Sequence, residues 1–417
     1  MLYYFFQVLN DLDFSGAGLF QYLSFRAAVA CIVSLIIVWG WGGKFIQILR
    51  RRQVKDKVRD LALEGQETKG KTPTMGGILI LLGIIVPVLL FCNLSNIYVL
   101  MMLFVTICLG LLGFLDDYIK VIKKDKNGLA PKYKLIGQFA VGLFIGLVMY
   151  FNPQVVVRKD VTALPEEHFY KEAKRVVDYT NPSDSRIVVD YKAPITTIPF
   201  LKNTDFDYSY FLSWLGGNYQ AWSWIIYIPI ITLIIAFISN GANLTDGLDG
   251  LATGVSGIIM FVLGILAYVS GNVISANYLN IMYLPNTGEL VIFAAAFLGA
   301  CIGFLWYNSY PASVFMGDTG SLAIGGIIAS MAILIRKEFL LPLLCGVFVV
   351  ESLSVILQVA YFKYTKKRFG EGRRIFKMAP LHHHFQKCNI PEAKIVIRFW
   401  IISLILAIIT LMTLKIR

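Results

Sequence analysis

The sequence predicts an all-α polytopic membrane protein with about ten transmembrane helices, both termini on the periplasmic side, and a small extracytoplasmic insertion in which β structure is expected. Three observations support this fold class. Of the 417 residues, 57% are hydrophobic and 15% are charged, and the mean hydropathy is +0.67, which is far from the composition of soluble domains. Many uncharged runs approach the roughly 20 apolar residues that a helix needs to cross a bilayer. Basic residues gather in a few of the loops between these runs.

Ten apolar runs define the predicted spans. They cover residues 22–48, 75–92, 97–115, 134–151, 224–239, 250–270, 289–306, 320–335, 339–361 and 395–414. Several of these runs are short for a full crossing, which leaves local thinning of the bilayer or re-entrant segments open as alternatives.

The loops between the spans differ in charge. The loop after the first span begins with Arg50-Arg51-Arg52, the loop after the third carries six lysines between 120 and 134, and residues 363–394 form the most basic loop. The alternate loops at 93–96, 271–288 and 336–338 are short and carry little net charge. Because Lys and Arg mark cytoplasmic loops, the basic face is predicted to be cytoplasmic. The same clustering argues against binding of nucleic acid as the reason for the net charge of +12.

A long insertion, residues 152–222, separates the fourth and fifth predicted spans on the outer face. Its basic residues are roughly balanced by acidic ones. The runs Val155-Val156-Val157 and Ile187-Val188-Val189 are typical of short strands, and Asn-Pro turns flank them at 152–153 and 181–182. We therefore expect a small β-containing cap or hairpin, with an irregular linker as the alternative.

Residues 239–250, Ser-Asn-Gly-Ala-Asn-Leu-Thr-Asp-Gly-Leu-Asp-Gly, place polar groups between two apolar runs. Polar groups are expensive at such a place in a membrane protein, so a functional role is the default hypothesis. Asn243, Asp246 and Asp249 are spaced by three and would lie near one face of a helical segment. An acidic cluster without basic neighbours suits a divalent cation, or a ligand that brings one. A polar cap between two helices is the structural alternative.

Two further acidic motifs lie at the same predicted face. Asp116 and Asp117 are adjacent at the end of the third span, where a solvated helix end is the structural alternative. Asp318 is surrounded by glycine and hydroxyl residues at the start of the eighth span. A helix N-terminus offers free N–H groups to a phosphate, and the carboxylate can hold Mg²⁺. Alternatively, Asp318 simply caps that helix.

Three consecutive histidines, His382, His383 and His384, lie within the most basic loop. Neighbouring residues cannot all face one point, so these are not a zinc pair of the kind found one helical turn apart. Imidazoles beside a basic loop suit contact with phosphate or proton transfer. A solvated polar loop is the alternative interpretation.

Other polar residues extend this set. Residues 69–77 offer cations, hydroxyls and glycines before a membrane helix, which is typical of a phosphate-binding loop, although the Walker spacing is absent. Lys134 and Gln138 begin the fourth span, and Glu351 and Gln358 are seven apart on one face of the ninth. Acidic groups for a metal and basic groups for phosphate at one face of the bilayer favour phosphoryl transfer from a soluble donor to a lipid.

Five motifs together resemble the phospho-N-acetylmuramoyl-pentapeptide-transferase family, which belongs to the polyprenyl-phosphate N-acetylhexosamine-1-phosphate transferase superfamily. They are Lys71-Thr72-Pro73-Thr74-Met75-Gly76-Gly77, Asp116-Asp117-Tyr118, Asn243-Leu244-Thr245-Asp246-Gly247-Leu248-Asp249-Gly250, Phe315-Met316-Gly317-Asp318 and Leu381-His382-His383-His384-Phe385. The resemblance covers nearly the whole chain, in the order of the family. It implies that UDP-N-acetylmuramoyl-pentapeptide and undecaprenyl phosphate are converted to lipid I and UMP.

The resemblance also implies a dependence on Mg²⁺ and, commonly, a homodimer. It implies a single catalytic transmembrane domain over residues 1–417, with 152–222 as a periplasmic insertion. The protein would lie in the bacterial inner membrane with its active site on the cytoplasmic face.

Residue by residue, the resemblance implies that Asp318 is the magnesium ligand. Asp116 and Asp117 would be the acidic pair at the lipid-phosphate end, with Asp117 as base or nucleophile, and His383 and His384 would complete the catalytic set.

The residues that the resemblance assigns to substrate binding share one cleft. Asn243, Asp246 and Asp249 would form the nucleotide-side pocket, and Phe315 would stack on uracil. The other cleft residues are Lys69, Thr74, Lys134, Asn308 and Gln358. We add Gln138 and His382 to the predicted substrate contacts because they belong to the polar set at the same face.

Two departures from the family pattern and two alternative functions stay open. The insertion 152–222 is longer than the usual outer loop, and Gln386 stands where a Glu often follows the His-His-His-Phe motif. Lys71 is an alternative to Lys69 as the lysine that contacts phosphate.

A sister enzyme that uses UDP-N-acetylglucosamine is the closest alternative function. An ion-coupled transporter is the alternative from another class, because carboxylates within a membrane also mark ion paths.

Overall fold

The computed structural model describes residues 1–52, 54, 72–125, 128–160, 174–178, 186–199, 205–216 and 219–415. Lys69 and Lys71, the alternative phosphate contacts, lie outside the described residues. The choice between them therefore stays a prediction.

Helices dominate the described structure, and each predicted span overlaps one of them. In chain order they are α1 (Leu2–Asp11), α2 (Leu23–Arg51), α3 (Gly77–Phe91), α4 (Ile97–Val121), α5 (Pro131–Phe151), α6 (Trp224–Thr245), α7 (Leu251–Gly271), α8 (Val273–Leu279), α9 (Leu290–Asn308), α10 (Asp318–Leu334), α11 (Leu341–Leu344), α12 (Gly346–Phe369), α13 (Leu381–Gln386) and α14 (Glu392–Met412). Eight of the described helices are long and apolar enough to cross a membrane, and α3 and α10 are shorter apolar helices. The predicted all-α polytopic class is confirmed.

Helix α10 lies at the centre of the bundle. All of its residues from Thr319 to Leu334 are buried, and it packs against α4, α6 and α3. Small residues permit these close approaches. A Cβ atom on Gly77 of α3 would overlap the backbone of Gly320, and one on Gly325 would lie 2.6 Å from the Ile238 carbonyl oxygen. The N-terminal half of α10 is therefore held by close backbone contacts with neighbouring helices.

A largely buried ion pair joins three segments at the end of the bundle where α2 begins, with 6% of the Arg26 side chain and 14% of the Glu289 side chain exposed. Arg26 donates to both carboxylate oxygens of Glu289, at 3.0 and 2.7 Å, and to the carbonyl oxygen of Phe91. Glu289 also accepts the backbone N–H of Asn93 at 2.9 Å. The pair thus joins α2 to the end of α3 and to the start of α9.

The insertion contains short strands at that same end of the bundle. They are β1 (Val157–Asp160), β2 (Lys174–Asp178), β3 (Arg186–Tyr191), β4 (Ile195–Thr197) and β5 (Asp205–Asp207). One antiparallel sheet has the order β1-β3-β2, and β4 pairs antiparallel with β5. Strands β1 and β3 overlap the two valine-rich runs of the sequence. Four of the five strands carry an acidic residue.

The insertion is fastened to the bundle through residues that follow α10. Arg336, Lys337 and Glu338 are all buried. The Lys337 ammonium donates to the Thr197 hydroxyl at 2.8 Å, and the Arg336 carbonyl oxygen accepts from the Thr197 backbone. Glu338 accepts the Tyr208 hydroxyl at 2.8 Å. Three charged residues in a short loop are therefore used to hold the insertion.

Helix boundaries differ from the prediction in three places. Helix α4 continues past the predicted end at residue 115, and Lys120 lies on its last turn. The predicted ninth span begins instead as a 3-10 turn, Glu338–Leu340, followed by α11 and then α12. Helix α1 was not predicted. It has only 10 residues, which is too short to resemble a span.

The ion pair yields a stability prediction. Glu289→Gln leaves Arg26 buried beside a neutral amide, and breaking a buried pair costs about 3–5 kcal/mol. We expect a clear fall in Tm of the purified protein in detergent. The exposed carboxylate of Asp11 provides the control, because surface substitutions usually change stability by less than about 0.5 kcal/mol. Equal Tm values for Glu289→Gln and Asp11→Asn would contradict this role.

Candidate active site

Three carboxylates converge at the end of the bundle opposite the insertion. Asp116 and Asp117 lie near the end of α4, and Asp318 is the first residue of α10. One ligand oxygen from each lies within 4.8 Å of the others. The close approach depends on Gly113, because a Cβ there would overlap the Asp318 carbonyl group. Sequence neighbours and a distant residue are thus brought to one point.

Asp117 caps α10 from another helix. Its Oδ1 accepts the backbone N–H of Asp318 at 3.1 Å, and its Oδ2 accepts the N–H and the hydroxyl of Thr319 at 2.9 and 2.5 Å. The first N–H groups of a helix lack partners within that helix. Gly317, at φ 74°, lets the chain turn into α10, and a Cβ there would lie 2.7 Å from Asp117 Oδ2 and 2.9 Å from Thr74 Oγ1. Thr74 therefore borders the same point.

Two lysines neutralise the other two carboxylates. The Lys120 ammonium lies 2.5 Å from Asp116 Oδ2 and 3.1 Å from Asp318 Oδ2. The Lys134 ammonium lies 2.8 and 2.6 Å from the same two oxygens. Asp116 Oδ1 accepts the backbone N–H of Leu129 at 2.7 Å, which folds the loop after α4 back over the site.

Asn243 orients Asp318 from the third side. Its amide donates to Asp318 Oδ1 at 2.8 Å and to the Ser321 hydroxyl at 2.8 Å. Each oxygen of Asp318 is therefore assigned: Oδ1 faces α6, and Oδ2 faces the two lysines. Asp116, Asp117, Lys134, Asn243, Thr74 and Asp318 are the predicted site residues that the structure brings together.

The donor set fits a divalent cation. Carboxylate oxygens are the ligands that Mg²⁺ prefers, and the two ammonium groups show that positive charge is held where Asp116 Oδ2 and Asp318 Oδ2 meet. Because both Asp117 oxygens are engaged by α10, Asp318 and Asp116 are the carboxylates best placed to hold a metal.

The expectation that Asn243, Asp246 and Asp249 share a helix face is wrong. Helix α6 ends at Thr245, with Asp246 just beyond it, and Gly250 takes φ 78° at the start of α7. Glycines at 247 and 250 favour turns over a continuous helix. Asp249 faces away from α6: its Oδ2 accepts the N–H of Ala312 at 3.0 Å, and its own N–H donates to Glu392 at 2.9 Å.

Asn308 fastens the turn of residues 246–250 from inside. Its carbonyl oxygen accepts from the Gly250 backbone at 3.2 Å and from the Thr253 hydroxyl at 3.0 Å, and its amide donates to the Val314 carbonyl at 3.0 Å. Its side chain is therefore used within the protein.

His382 joins the turn to α12. It is fully buried, its backbone N–H donates to Glu351 Oε1 at 3.2 Å, and its Nδ1 lies 3.2 Å from Glu351 Oε2. The other edge of the imidazole packs on Gly247, where a Cβ would overlap Nε2. The first histidine of the motif is thus a packing residue between two motif loops.

His383 and His384 contact groups close to the histidine motif in the chain. The His383 Nδ1 lies 2.8 Å from Gln386 Oε1, and the His384 Nδ1 accepts the Lys377 N–H at 3.1 Å. Gln358 accepts the N–H groups of residues 375 and 376 and donates to the Phe376 carbonyl. Gln358 therefore holds the loop before the histidines.

Two predicted residues lie beside the carboxylate cluster. Gln138 is buried one turn deeper, where its amide donates to Ser239 at 3.1 Å and its carbonyl oxygen accepts from Asn240 at 2.7 Å. Phe315 is partly exposed, and its backbone pairs with Pro73 and Gly76 at 2.8 Å. That pairing aligns the threonine loop with the start of α10.

Sequence reasoning missed several residues of this site. Lys120 was counted with the basic loop because the third span was predicted to end too early, although its spacing of four from Asp116 is a helical signal. Thr319 follows Asp318 directly, and its role requires the approach of α4. Glu392 starts a different helix, and the sequence carries no sign of its contact with Asp249.

Comparison with known proteins identifies the family. Residues 184–336 match the model of glycosyl transferase family 4. The chain is 54% identical to the phospho-N-acetylmuramoyl-pentapeptide-transferases of Flavobacterium psychrophilum and Flavobacterium johnsoniae and 52% identical to that of Parabacteroides distasonis. Each of these comparisons covers 100% of both chains. The chain belongs to the phospho-N-acetylmuramoyl-pentapeptide-transferase family.

Family membership confirms the prediction from the five motifs. This transferase is a phosphotransferase of peptidoglycan synthesis, and neither alternative function is favoured. The two Flavobacterium alignments run over 418 residues with both chains fully covered, so residues 152–222 lie within the aligned length.

The approach of α4 to α10 gives a prediction for activity. Gly113→Ala forces the Asp318 backbone away, and such overpacking costs about 1–3 kcal/mol. We expect a large loss of kcat in the transferase assay with a modest fall in Tm. Gly40, on an exposed helical position with nothing within 4 Å of its Cβ direction, provides the matched control, and Gly40→Ala should keep full activity. Equal activities of the two variants would contradict the dependence on this contact.

Proposed function

We propose that the transferase moves phospho-N-acetylmuramoyl-pentapeptide from UDP-N-acetylmuramoyl-pentapeptide to undecaprenyl phosphate, giving lipid I and UMP. The observation that carries the proposal is the cluster of Asp116, Asp117 and Asp318 with Lys120 and Lys134 at the end of membrane helices. A site of this charge suits a phosphate that is attached to a lipid on one side and a diphosphate from solution on the other. The relatives are phospho-N-acetylmuramoyl-pentapeptide-transferases, which supports this choice of sugar.

We infer that the site faces the cytoplasm across the bacterial inner membrane. The basic loops lie at the same end of the bundle as the carboxylates, and the positive-inside rule assigns that end to the cytoplasm. UDP-linked donors are soluble, so the site must be open to water on that side. A homodimer is proposed from the family resemblance.

Magnesium is the proposed metal, held by Asp318 with Asp116 beside it. When bound, it would supply positive charge that stabilises the phosphates of the donor. Asn243 fixes the orientation of Asp318 through its 2.8 Å hydrogen bond. Lys120 and Lys134 are proposed to contact the phosphates, because each already bridges two anionic oxygens.

Direct attack is the proposed chemical route. An oxygen of the lipid phosphate bonds to the sugar-linked phosphorus, and the bond from that phosphorus to the oxygen of UMP breaks. The acceptor needs little deprotonation, because a phosphate monoester has a second pKa of about 6. The three hydrogen bonds that Asp117 accepts from Asp318 and Thr319 support a role in holding α10. A covalent phospho-aspartate is the rival route.

The nucleotide side of the site is proposed to lie along the turn of residues 246–250 and the histidine motif. Asp246 and Phe315 would contact the nucleoside, with His383 and His384 near the diphosphate. His382, Asn308 and Gln358 are proposed to act by holding these loops, since their side chains contact protein groups.

Release of UMP by the purified full chain in detergent tests the proposed reaction. We expect release from UDP-N-acetylmuramoyl-pentapeptide only when both undecaprenyl phosphate and Mg²⁺ are added, and loss of release in Asp318→Ala. Asp11→Ala, which removes an exposed carboxylate at the other end of the bundle, should behave as wild type. Release from UDP-N-acetylglucosamine instead would assign the chain to the sister activity. Binding of labelled donor without release from either sugar would overturn phosphotransfer.

The route can be tested with donor labelled at the sugar-linked phosphorus. In the absence of lipid acceptor, direct attack predicts that no label becomes attached to the wild-type protein. Label on the wild type that is absent from Asp117→Asn, but present in the control Asp11→Asn, would establish the covalent route. A quench in denaturant followed by gel analysis gives the measurement.

A further inference from the structure

The insertion is divided in sequence into a charged part and an uncharged part. Acidic and basic residues recur throughout 158–190, whereas the stretch from Tyr208 to Thr245 contains no Asp, Glu, Lys, Arg or His. Helix α6 begins only at Trp224. The uncharged stretch therefore starts well before the membrane helix that it leads into.

The exposed side of this early stretch is apolar and aromatic. A 3-10 helix, Tyr208–Leu215, presents Trp214, Tyr210 and Phe211 with 78%, 62% and 54% of their surfaces exposed. A second 3-10 helix, Tyr219–Trp222, adds Trp222. We call the described residues 208–216 and 219–223 the aromatic segment.

The opposite side of the aromatic segment is already used. Tyr208 and Leu212 are buried, and the Tyr208 ring stacks on Phe339 while its hydroxyl donates to Glu338 at 2.8 Å. Burial of this side fixes which side chains face outwards. An ordinary surface helix in water would place polar residues there.

Contacts with α5 place the aromatic segment at the edge of the membrane bundle. The hydroxyls of Tyr150, on the last turns of α5, and Ser223 lie 3.0 Å apart, and Ser223 donates to the carbonyl of Gln220 at 2.7 Å. The exposed apolar surface continues without a charge into Trp224 and Ile225 of α6. The segment therefore extends the lipid-facing surface of a membrane helix.

We propose that the aromatic segment lies in the headgroup region of the leaflet opposite the carboxylate site, with the bilayer as its partner. Trp and Tyr are enriched at membrane interfaces, because their rings are apolar and their N–H or O–H groups reach water. Exposed apolar surface in water costs about 25 cal/mol per Å², and lipid removes this cost. The charged sheet of β1, β2 and β3 then lies in water above the membrane.

Spin labels at single positions test this placement in the full chain. The labels are attached to Trp214→Cys and Leu215→Cys, in a background with Cys388→Ser, and the protein is placed in nanodiscs of phosphatidylcholine and phosphatidylglycerol. We expect collisions with oxygen to exceed collisions with the water-soluble nickel reagent at both positions. Gln154→Cys, at an exposed position just before β1, is the matched control. There, collisions with the nickel reagent should exceed collisions with oxygen. The labelled background without an added cysteine is subtracted.

Two outcomes would overturn the proposal. Equal accessibility to the nickel reagent at 154 and at 214 and 215 would place the aromatic segment in water. Protection of 214 and 215 from both reagents would mean that protein, such as a second copy of the chain, covers the segment. The use of two label positions guards against the failure of one variant to fold.

Discussion

The start of α10 depends on a carboxylate that another helix supplies. Asp117 accepts hydrogen bonds from the backbone of Asp318 and from the backbone and hydroxyl of Thr319, so it holds the free N–H groups of α10 in place. This contact is possible only because Gly113 lets α4 touch the Asp318 backbone. Asp318 can then meet Asp116, and the two lysines can bridge them. A change at Gly113 or at Asp117 would therefore disturb the whole cluster.

The same helix connects the carboxylate site with the insertion. Over its 17 residues, α10 spans about 25 Å at 1.5 Å per residue, and its surface is buried along that length. The charged residues 336–338 follow it directly and hold the insertion. If the aromatic segment lies in the headgroup region, the bilayer fixes one end of this arrangement and the approach of α4 fixes the other. The insertion is then part of what holds the catalytic helix upright in the membrane.

Several polar residues of the sequence motifs are hydrogen-bonded to other groups of the protein. Asn308 closes a turn, Gln358 holds a loop, and His382 packs between Glu351 and Gly247. Such groups are hydrogen-bonded because an unpaired polar group is costly away from water. A motif in a membrane enzyme thus combines groups that contact substrate with groups that position them. The structure shows which motif side chains bond within the protein, which the spacing of the motif does not.

The sequence by itself determined the fold class, the ten apolar segments and the polar face, because hydropathy and loop charge depend on local composition. It also identified the family, since five motifs occur in a fixed order. Tertiary structure decided the contacts. The pairing of Asp117 with α10 and the contact of Lys120 with Asp318 both depend on how close two helices come. That distance is set at Gly113, whose neighbour Asp318 lies far away in the chain. The side of the aromatic segment that is buried was decided in the same way, by Glu338 and Phe339 from the other end of α10.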